Sequence, residues 1–454
     1  MNDRRVMAKL LDFIQDTKWE TMDESLLNQA KKCFFDLASV ICCGAKNNTS
    51  KKVASYVEQN YPIGDVTIFA TGKKTNLIGA AMANGMAANA LDLDDGYSLL
   101  RGHPGSGFFG ALLSTSELVD CTYGDFLAAM VVAYETGIRE GYAIRDFYGW
   151  DHSSGSYSAF GAAASIGKLL RLSRYELEMA MGIADFLLPV VPAKRSCYVP
   201  SMNKDGIYFG QHVGAQAVMM AKAGMTGKNP IILDDKYASY IESLGTKFYM
   251  FDLYIKFYSC CRWVHSPIGA VAGLMKDNNL KAEDIAKVDV YSFGNAGTLY
   301  KQAPTCEDEA QYNIIYPIAA QIVFGKVGPI ESSTTKMLDE RIKPTMEKIE
   351  FHHEPEYDKV FPGKRLSRVR IQTTDGRAFD SPALEPRGDH NADVTMDDLV
   401  EKAFYINEPY ANRDTIEAFV NTVLTTPTDE PFSKVYDTIN ALALENIHNE
   451  IEFI

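Results

Sequence analysis

The sequence has no uninterrupted apolar run that approaches the roughly 20 residues needed to span a bilayer. It is also poor in cysteine, and its eight cysteines include no CxxC pair, so they indicate neither a disulfide framework nor a zinc site. The first residues, Met1 to Arg5, lead into a mixed amphipathic segment without the apolar core of a secretion signal. These absences argue against a membrane-spanning protein and predict a cytoplasmic one.

Positive charge is scarce as well, with 45 lysines and arginines against 59 aspartates and glutamates and a formal net charge of −14. A surface of this sign does not attract nucleic acid or an anionic membrane, so we expect no partner of either kind. A single pocket can still be positive, and the composition is therefore compatible with an anionic small-molecule substrate. With 454 residues, 46% of them apolar, the chain is long enough for two domains.

Apolar residues recur at helical spacing between about residues 24 and 277. In the first such segment one face carries Leu26, Ala30, Cys33, Phe34, Leu37 and Ile41. Comparable segments cover 105–119, 124–140, 156–170, 174–186 and 206–225. The sequence therefore predicts a mainly α protein with a large helical domain.

The pattern changes after Asn278, where alternating residues replace the helical spacing. Strands are predicted at 287–291, 348–351 and 369–373. Asp375-Gly376 is typical of a hairpin turn, so we expect a small α+β domain in this region. Thr395 to Asp398 is typical of a helix start, and the helical residues that follow are predicted to pack back on the first domain.

Three carboxylates, Asp92, Asp94 and Asp95, closely precede His103, and this combination suggests acid and base chemistry. The small residues from Gly79 to Ala90 predict a tightly packed helix that ends beside them. The glycine falls one position too early for a calcium loop, and without an HxH or HExxH pair we expect no metal. The DxDD string also resembles the proton-donating motif of class II terpene cyclases, whose aromatic-rich repeats are missing here. We interpret Asp92 as a structural acid.

Histidines with Gly, Ser or Pro neighbours lie where functional loops and helix starts are expected. This context selects His103, His152 and His265. We predict surface positions for His352, His353 and His448. The helical His212 fits either a buried structural position or a pocket wall.

Lys204 precedes a helix rich in small residues, whose N-terminus already carries positive charge. Two positive groups this close are favourable if both the lysine and the helix N-terminus face an anion. An exposed lysine beside Asp205 is an equally good interpretation. Further candidate cations are Arg195, Lys256 and Arg262.

Together these segments resemble the MmgE/PrpD family, which includes 2-methylcitrate dehydratase, cis-aconitate decarboxylase and iminodisuccinate epimerase. The motifs that carry the resemblance lie at 84–95, 102–104, 149–152, 201–206, 260–265, 310–316 and 386–389. Each motif is weak alone, but their shared order over most of the chain is specific.

The resemblance implies a large helical domain built from both chain ends, residues 1–270 and 401–454, and a smaller α+β lid domain at 271–400 inserted between them. It also implies a homodimer that needs no metal or organic cofactor. The catalytic residues that it places in the pocket are Asp94, His103, His152, Lys204 and His265, with Tyr312 reaching in from the lid. Asp95 and Tyr316 are predicted to bind substrate, and we add the candidate cations Arg195 and Arg262 to that set.

Members of this family act on di- and tricarboxylates at the carbon next to a carboxylate. Removing a proton or CO₂ there builds negative charge, so the site needs a base, fixed cations and a proton donor. His103 can serve as base or acid, and Asp94 can orient it. The remaining roles are carboxylate binding by Lys204 and His152, and protonation of a leaving hydroxyl by Tyr312 or His265.

We therefore predict a cofactor-independent lyase that dehydrates a hydroxylated di- or tricarboxylate. The alternatives are an epimerase or isomerase, a decarboxylase, and a noncatalytic carboxylate-binding or scaffold protein. The chain departs from the family after His265, where Ser266 to Gly269 replace a segment that contains an aspartate in many members. The segment from Asn203 to Gly206 also differs from the methylcitrate-specific one, so 2-methylcitrate is not the predicted substrate.

Overall fold

The computed structural model describes residues 2–447, so His448 and the last part of the predicted 401–454 segment lie outside the described residues. The helices are α1 (Asn2–Asp16), α2 (Glu24–Gly44), α3 (Asn48–Asn60), α4 (Leu77–Asn89), α5 (Ser106–Ser116), α6 (Tyr123–Tyr148), α7 (Gly155–Leu169), α8 (Arg174–Leu187), α9 (Lys194–Tyr198), α10 (Ile207–Lys222), α11 (Ala238–Glu242), α12 (His265–Asp277), α13 (Glu307–Gln311), α14 (Tyr316–Phe324), α15 (Thr334–Met337), α16 (Ile342–Met346), α17 (Pro355–Asp358), α18 (Met396–Asn407), α19 (Arg413–Thr425) and α20 (Ser433–Leu444). The strands are β1 (Val66–Thr67), β2 (Lys74–Thr75), β3 (Gly96–Tyr97), β4 (Leu253–Tyr254), β5 (Ile285–Ser292), β6 (Ile349–His353), β7 (Ser367–Thr373) and β8 (Ala378–Asp380). The prediction of a mainly α protein is confirmed.

Clear capping chemistry marks the start of α2 and both ends of α6. The Asp23 side chain accepts the Leu26 backbone N–H at 2.8 Å and starts α2. A capping box between Thr122 and Asp125 starts α6, which runs past its predicted end at residue 140. Gly149 then ends α6 in a left-handed conformation with φ 74°, which a glycine adopts without steric cost.

Small residues let the helices that precede and follow the carboxylate cluster pack very closely. α4 contacts α5 and α10, and α10 also contacts α7 and α8. A side chain at Gly110 of α5 would place its Cβ 2.4 Å from the carbonyl carbon of Asn84 in α4. Only glycine fits there, so this close approach fixes the position of α4 and of the loop that follows it.

The helices near the C-terminus return to the first part of the chain. Both α18 and α20 contact α2, and Thr395 and Asp398 form the capping box that the sequence predicts at the start of α18. The larger apolar core contains residues from 6–255 and again from 399–443. The boundaries at 270/271 and 400/401 stay predictions.

A four-stranded sheet with the order β6-β5-β7-β8 follows the helical region. β5 pairs with β6 in parallel and with β7 in antiparallel register, and the predicted Asp375-Gly376 turn joins β7 to β8. The three predicted strands are confirmed. A second apolar cluster covers α12, α14 and this sheet, and it contains Cys197 and residues from 260–371.

No helix in residues 2–447 combines the length and the apolar character that crossing a membrane requires.

Candidate active site

The carboxylate cluster lies in the loop between α4 and α5. The short strand β3 within this loop pairs with β4, which brings Tyr254 next to the cluster. Asp92 adopts a left-handed backbone with φ 49°, an uncommon conformation for a residue other than glycine. This turn brings Asp92, Asp94 and Asp95 around the side chain of His103.

The His103 imidazole is surrounded by oxygen atoms. Nδ1 lies 2.9 Å from the Asp95 carbonyl oxygen and 3.1 Å from Asp94 Oδ2, and it donates its proton to this pair. Nε2 lies 3.3 Å from Asp92 Oδ1 and 3.8 Å from Asp205 Oδ2. Burial alone would lower the pKa of His103, but the Asp94 carboxylate outweighs it and the pKa rises to about 9. His103 is therefore protonated at neutral pH.

Asp94 is the fixed counter-charge of this imidazolium. Asn89 Nδ2 donates to its Oδ1 at 3.0 Å, and the Ser106 hydroxyl donates to its Oδ2. Although burial opposes ionisation, His103 holds the pKa of Asp94 well below its usual range. Asp94 faces His103 and does not line the pocket wall.

Asp95 holds the loop together. It accepts the Gly105 N–H at 2.9 Å and the Tyr134 hydroxyl, both from within the protein. Burial raises the pKa of Asp95 to about 7. Its carboxylate lies behind the pocket wall, so the prediction that Asp95 binds substrate does not fit its position.

Asp92 differs from our interpretation of it as a structural acid, because its carboxylate lines the pocket beside His103. Its Oδ1 lies 2.9 Å from the Nζ of Lys256, and both side chains are buried. Asp205 lines the same pocket, and burial raises its pKa. The hydroxyl of Tyr312 donates to Asp205 Oδ2 at 3.5 Å and brings a residue of the region between 271 and 400 into the pocket wall.

Lys204 is buried with a left-handed backbone at φ 46°, so the interpretation as an exposed lysine is wrong. Its Nζ donates to the Ala90 carbonyl oxygen at 3.2 Å and to the Gln311 side chain, and it lies 3.9 Å from Asp308 Oδ1. These partners hold Lys204 between the end of α4 and α13. It lies behind the pocket wall that contains His103.

His152 and His265 are also buried outside this wall. A ring nitrogen of His152 pairs with the Ser156 hydroxyl, its Nε2 has no partner among the described residues, and burial lowers its pKa. The Nε2 of His265 lies 3.1 Å from the Cys260 carbonyl oxygen. Burial and the adjacent Arg262 guanidinium hold the pKa of His265 well below its usual range.

The predicted substrate-binding residues Arg195 and Tyr316 are not brought to the pocket. Arg195 lies in α9 with an exposed side chain, and the Tyr316 hydroxyl donates to the Glu331 carbonyl oxygen. Arg262 does line the pocket, although its guanidinium donates to the Arg387 carbonyl oxygen at 2.8 Å. Charge alone selected Arg195, and only tertiary structure decides which arginine faces the pocket.

Five charged wall residues were missed by sequence reasoning: Arg101, Asp151, Lys194, Asp205 and Arg365. Four of them had a local signal, since Arg101 lies two residues before His103 and the other three each adjoin a predicted site residue: Asp151, Lys194 and Asp205. Arg365 lies in the loop between α17 and β7, where nothing in the neighbouring sequence marks it.

Ligand-type atoms of Asp92, Asp94 and His103 lie within 4.8 Å of one another, as metal ligands do. In this group, however, the Lys256 ammonium already pairs with Asp92, and the Ser106 hydroxyl already donates to Asp94. The carboxylate oxygen atoms thus already accept hydrogen bonds or pair with cations inside the protein. The arrangement can hold a proton on His103 beside two wall carboxylates, which is the equipment for proton transfer.

Comparison with known proteins agrees with the motifs in the sequence. The chain matches the MmgE/PrpD N-terminal domain over residues 8–247 and the MmgE/PrpD C-terminal domain over residues 258–425. It belongs to the MmgE/PrpD family. A cis-aconitate decarboxylase-like protein of Aspergillus oryzae is 23% identical, with 96% of this chain and 97% of the relative covered. A cis-aconitate decarboxylase of Aspergillus terreus is 24% identical, with 84% of this chain and 85% of the relative covered.

Proposed function

We propose that this chain is a lyase that dehydrates a hydroxylated di- or tricarboxylate, with its own side chains as acid and base. The observation that carries the proposal is the position of His103 beside Asp92 and Asp205 in a buried pocket, with Asp94 raising its pKa to about 9. An imidazolium can protonate a departing hydroxyl, and a carboxylate whose pKa is raised by burial can accept a proton from carbon. Arginines in the same wall offset the charge of an anionic substrate.

In the proposed step, the Asp205 carboxylate removes the proton from the carbon next to a substrate carboxylate. The electron pair of that C–H bond forms the carbon–carbon double bond, and the bond to the hydroxyl on the neighbouring carbon breaks. His103 gives its proton to the leaving oxygen, so that water departs. Asp94 stabilises the imidazolium before the transfer and acts only through His103.

A second candidate reaction is decarboxylation, which the names of the A. oryzae and A. terreus relatives favour. Loss of CO₂ leaves a carbanion on the substrate, and the His103 imidazolium can protonate it. This reaction needs no base, so Asp205 would have no part in the chemical step. The two candidates therefore differ in their dependence on Asp205.

The segment after His265 differs from that of many family members, and we expect its contact with substrate to differ as well. Where those members have an aspartate, the chain has Gly269, and the Ser266 hydroxyl donates to the Leu384 carbonyl oxygen at 2.6 Å. No carboxylate from this segment is available to substrate. The missing aspartate is also the reason for the alternative of a noncatalytic carboxylate-binding protein, which the experiment below tests.

The test is proton NMR of the protein in D₂O with citrate-, malate- and aspartate-like acids and with cis-aconitate. An alkene signal from a hydroxylated acid is the expected result, whereas loss of CO₂ from cis-aconitate would identify the decarboxylase. Solvent exchange without net reaction would instead identify an epimerase or isomerase. His103→Gln should lose at least ~100-fold in kcat/KM, the usual contribution of a general acid or base, whereas the exposed His353→Gln should not.

Activity by a folded His103→Gln variant at the rate of the unmodified chain would contradict the assignment of His103. If the whole panel gave no reaction, a noncatalytic alternative would replace the lyase: a carboxylate-binding protein if an acid raised the melting temperature, and a scaffold protein if none did. Asp205→Asn separates the two lyase reactions, because only dehydration requires its carboxylate.

A further inference from the structure

Three arginines line the pocket that contains His103: Arg101, Arg262 and Arg365. In each of them the Nε atom is buried and has no hydrogen-bond partner among the described residues. A buried guanidinium that keeps an unused donor is costly, because the N–H loses its hydrogen bond to water. Three such donors in one wall indicate that the pocket holds an acceptor when it is occupied.

Two of the arginines already have a carboxylate partner. Arg101 pairs with Asp151. Arg262 lies 3.7 Å from Asp389 Oδ2 and donates to the Arg387 carbonyl oxygen as well. Their positive charge is therefore largely offset by the protein itself.

Arg365 is different, since no carboxylate in residues 2–447 forms an ion pair with it. Its side chain is only 1% exposed, and its hydrogen bonds go to one residue: the Ser98 hydroxyl at 2.8 Å and the Ser98 carbonyl oxygen at 3.3 Å. Its guanidinium also lies 5.1 Å from the centre of the Tyr254 ring. These neutral partners position the group without removing its charge.

We propose that Arg365 binds a substrate carboxylate that does not take part in the chemical step, with Arg101 beside it. A planar guanidinium with a free N–H suits a carboxylate, whose two oxygen atoms match its donors. The inference rests on the proposed function and deepens it. On this proposal the substrate has one carboxylate next to the reacting carbon and a second carboxylate that Arg365 binds. Arg365 therefore selects substrates that carry the second carboxylate and is a specificity-determining residue.

The contact between Arg365 and Ser98 joins two loops of the pocket. The arginine belongs to the loop before β7, whereas Ser98 belongs to the loop that carries Asp92 and His103. A carboxylate held by Arg365 therefore lies against the loop that performs the chemistry. Recognition of the remote carboxylate and orientation of the reacting carbon depend on the same contact.

The experiment is isothermal titration calorimetry with tricarballylate and with methylsuccinate, which lacks one of its terminal carboxylates. Neither acid carries a hydroxyl or a double bond, so binding is measured without turnover. We expect the unmodified chain to bind tricarballylate at least ~10-fold more tightly, as a buried charge-assisted hydrogen bond allows. Arg365→Met should abolish this preference, and Arg365→Lys should restore part of it.

Lys364→Met is the matched control, because it removes the same charge from the adjacent residue, which lies outside the pocket wall. Ser98→Ala removes a partner that positions the guanidinium while the charge remains, and it should keep most of the preference. A preference that survives unchanged in a folded Arg365→Met variant would overturn the inference, as would failure of the unmodified chain to bind tricarballylate. Because turnover is measured separately by NMR, loss of the proposed function would not by itself change the binding result.

Discussion

The charge of His103 decides what chemistry the pocket can perform. The imidazolium is stabilised by Asp94, which lies 3.1 Å from its Nδ1, against the opposing effect of burial. Because its folded pKa is raised to about 9, protonation of His103 contributes stability that is complete below the unfolded value of about 6.5. This contribution is lost as the pH rises through about 9.

We predict that kcat/KM falls as the pH rises through about 9, because His103 then loses the proton that it donates. Asp94→Asn removes the carboxylate that raises this pKa, so the alkaline limb should move toward lower pH by about one unit or more. The measurement is a pH profile of kcat/KM for both proteins. Asp358→Asn, which removes an exposed carboxylate beside His353, should leave the profile in place. An alkaline limb that stays at the same pH in folded Asp94→Asn would show that His103 is not the titrating acid.

At the scale of elements, the buried pair of Asp36 and Lys402 joins α2 to α18. The Lys402 Nζ donates to Asp36 Oδ1 at 2.6 Å and to the Leu93 carbonyl oxygen at 3.1 Å. One ammonium thus connects a helix near each end of the described chain with the loop that carries the carboxylate cluster. Lys402 is a positioning residue for that loop.

We expect Lys402→Met to lower the free energy of unfolding by about 3–5 kcal/mol, because it leaves the Asp36 carboxylate buried without its counter-charge. Adding Asp36→Leu should recover most of this stability, since two apolar groups can replace a buried ion pair. The double variant should still have a reduced kcat, because the Leu93 carbonyl has lost its donor. Denaturant unfolding and steady-state kinetics test both parts. The exposed Lys434→Met should change neither, and full kcat in the double variant would contradict the positioning role.

The sequence predicted elements better than it predicted the site. Helical spacing is a local property, so α5 to α8 and α10 were visible, although the prediction for α6 stopped at residue 140 and missed its last two turns. The carboxylate cluster was visible because its members are close in sequence. Arg365 could not be found this way, since its contact with Ser98 spans 267 positions. Arg195 had the right charge, yet its place in α9 turns it toward solvent.

At the scale of the whole molecule, the two largest apolar clusters organise the fold. The pocket wall takes residues from the helical region and from the region between 271 and 400. Tyr254 comes from β4 of the helical region, whereas Tyr312 and Arg365 come from the region between 271 and 400. A site assembled in this way depends on how the two regions pack together. The predicted homodimer stays a prediction at this scale, and light scattering in solution would test it.

Stability of the whole molecule should also depend on a buried acid that does not line the pocket. Glu140 of α6 is fully buried, and its carboxyl group lies beside that of Asp185. Burial, followed by the charge of the adjacent Asp185 in α8, raises the pKa of Glu140 well above its usual range. The folded state therefore binds this proton more tightly than the unfolded state does, and stability falls as the pH rises above about 4.3 toward the folded pKa.

Glu140→Gln keeps the shape of the side chain but removes its need to hold a proton. We expect this variant to have a higher free energy of unfolding than the unmodified chain near pH 8, because Glu140 must hold a proton in the folded state that the unfolded carboxyl releases. The gain should shrink toward pH 5, where the unfolded carboxyl begins to take up the same proton. Urea unfolding at both pH values measures it, with the exposed Glu430→Gln as the control. Equal stability changes at the two pH values would mean that Glu140 does not carry the raised pKa, and that the pH dependence of folding comes from other buried acids such as Asp95 and Glu307.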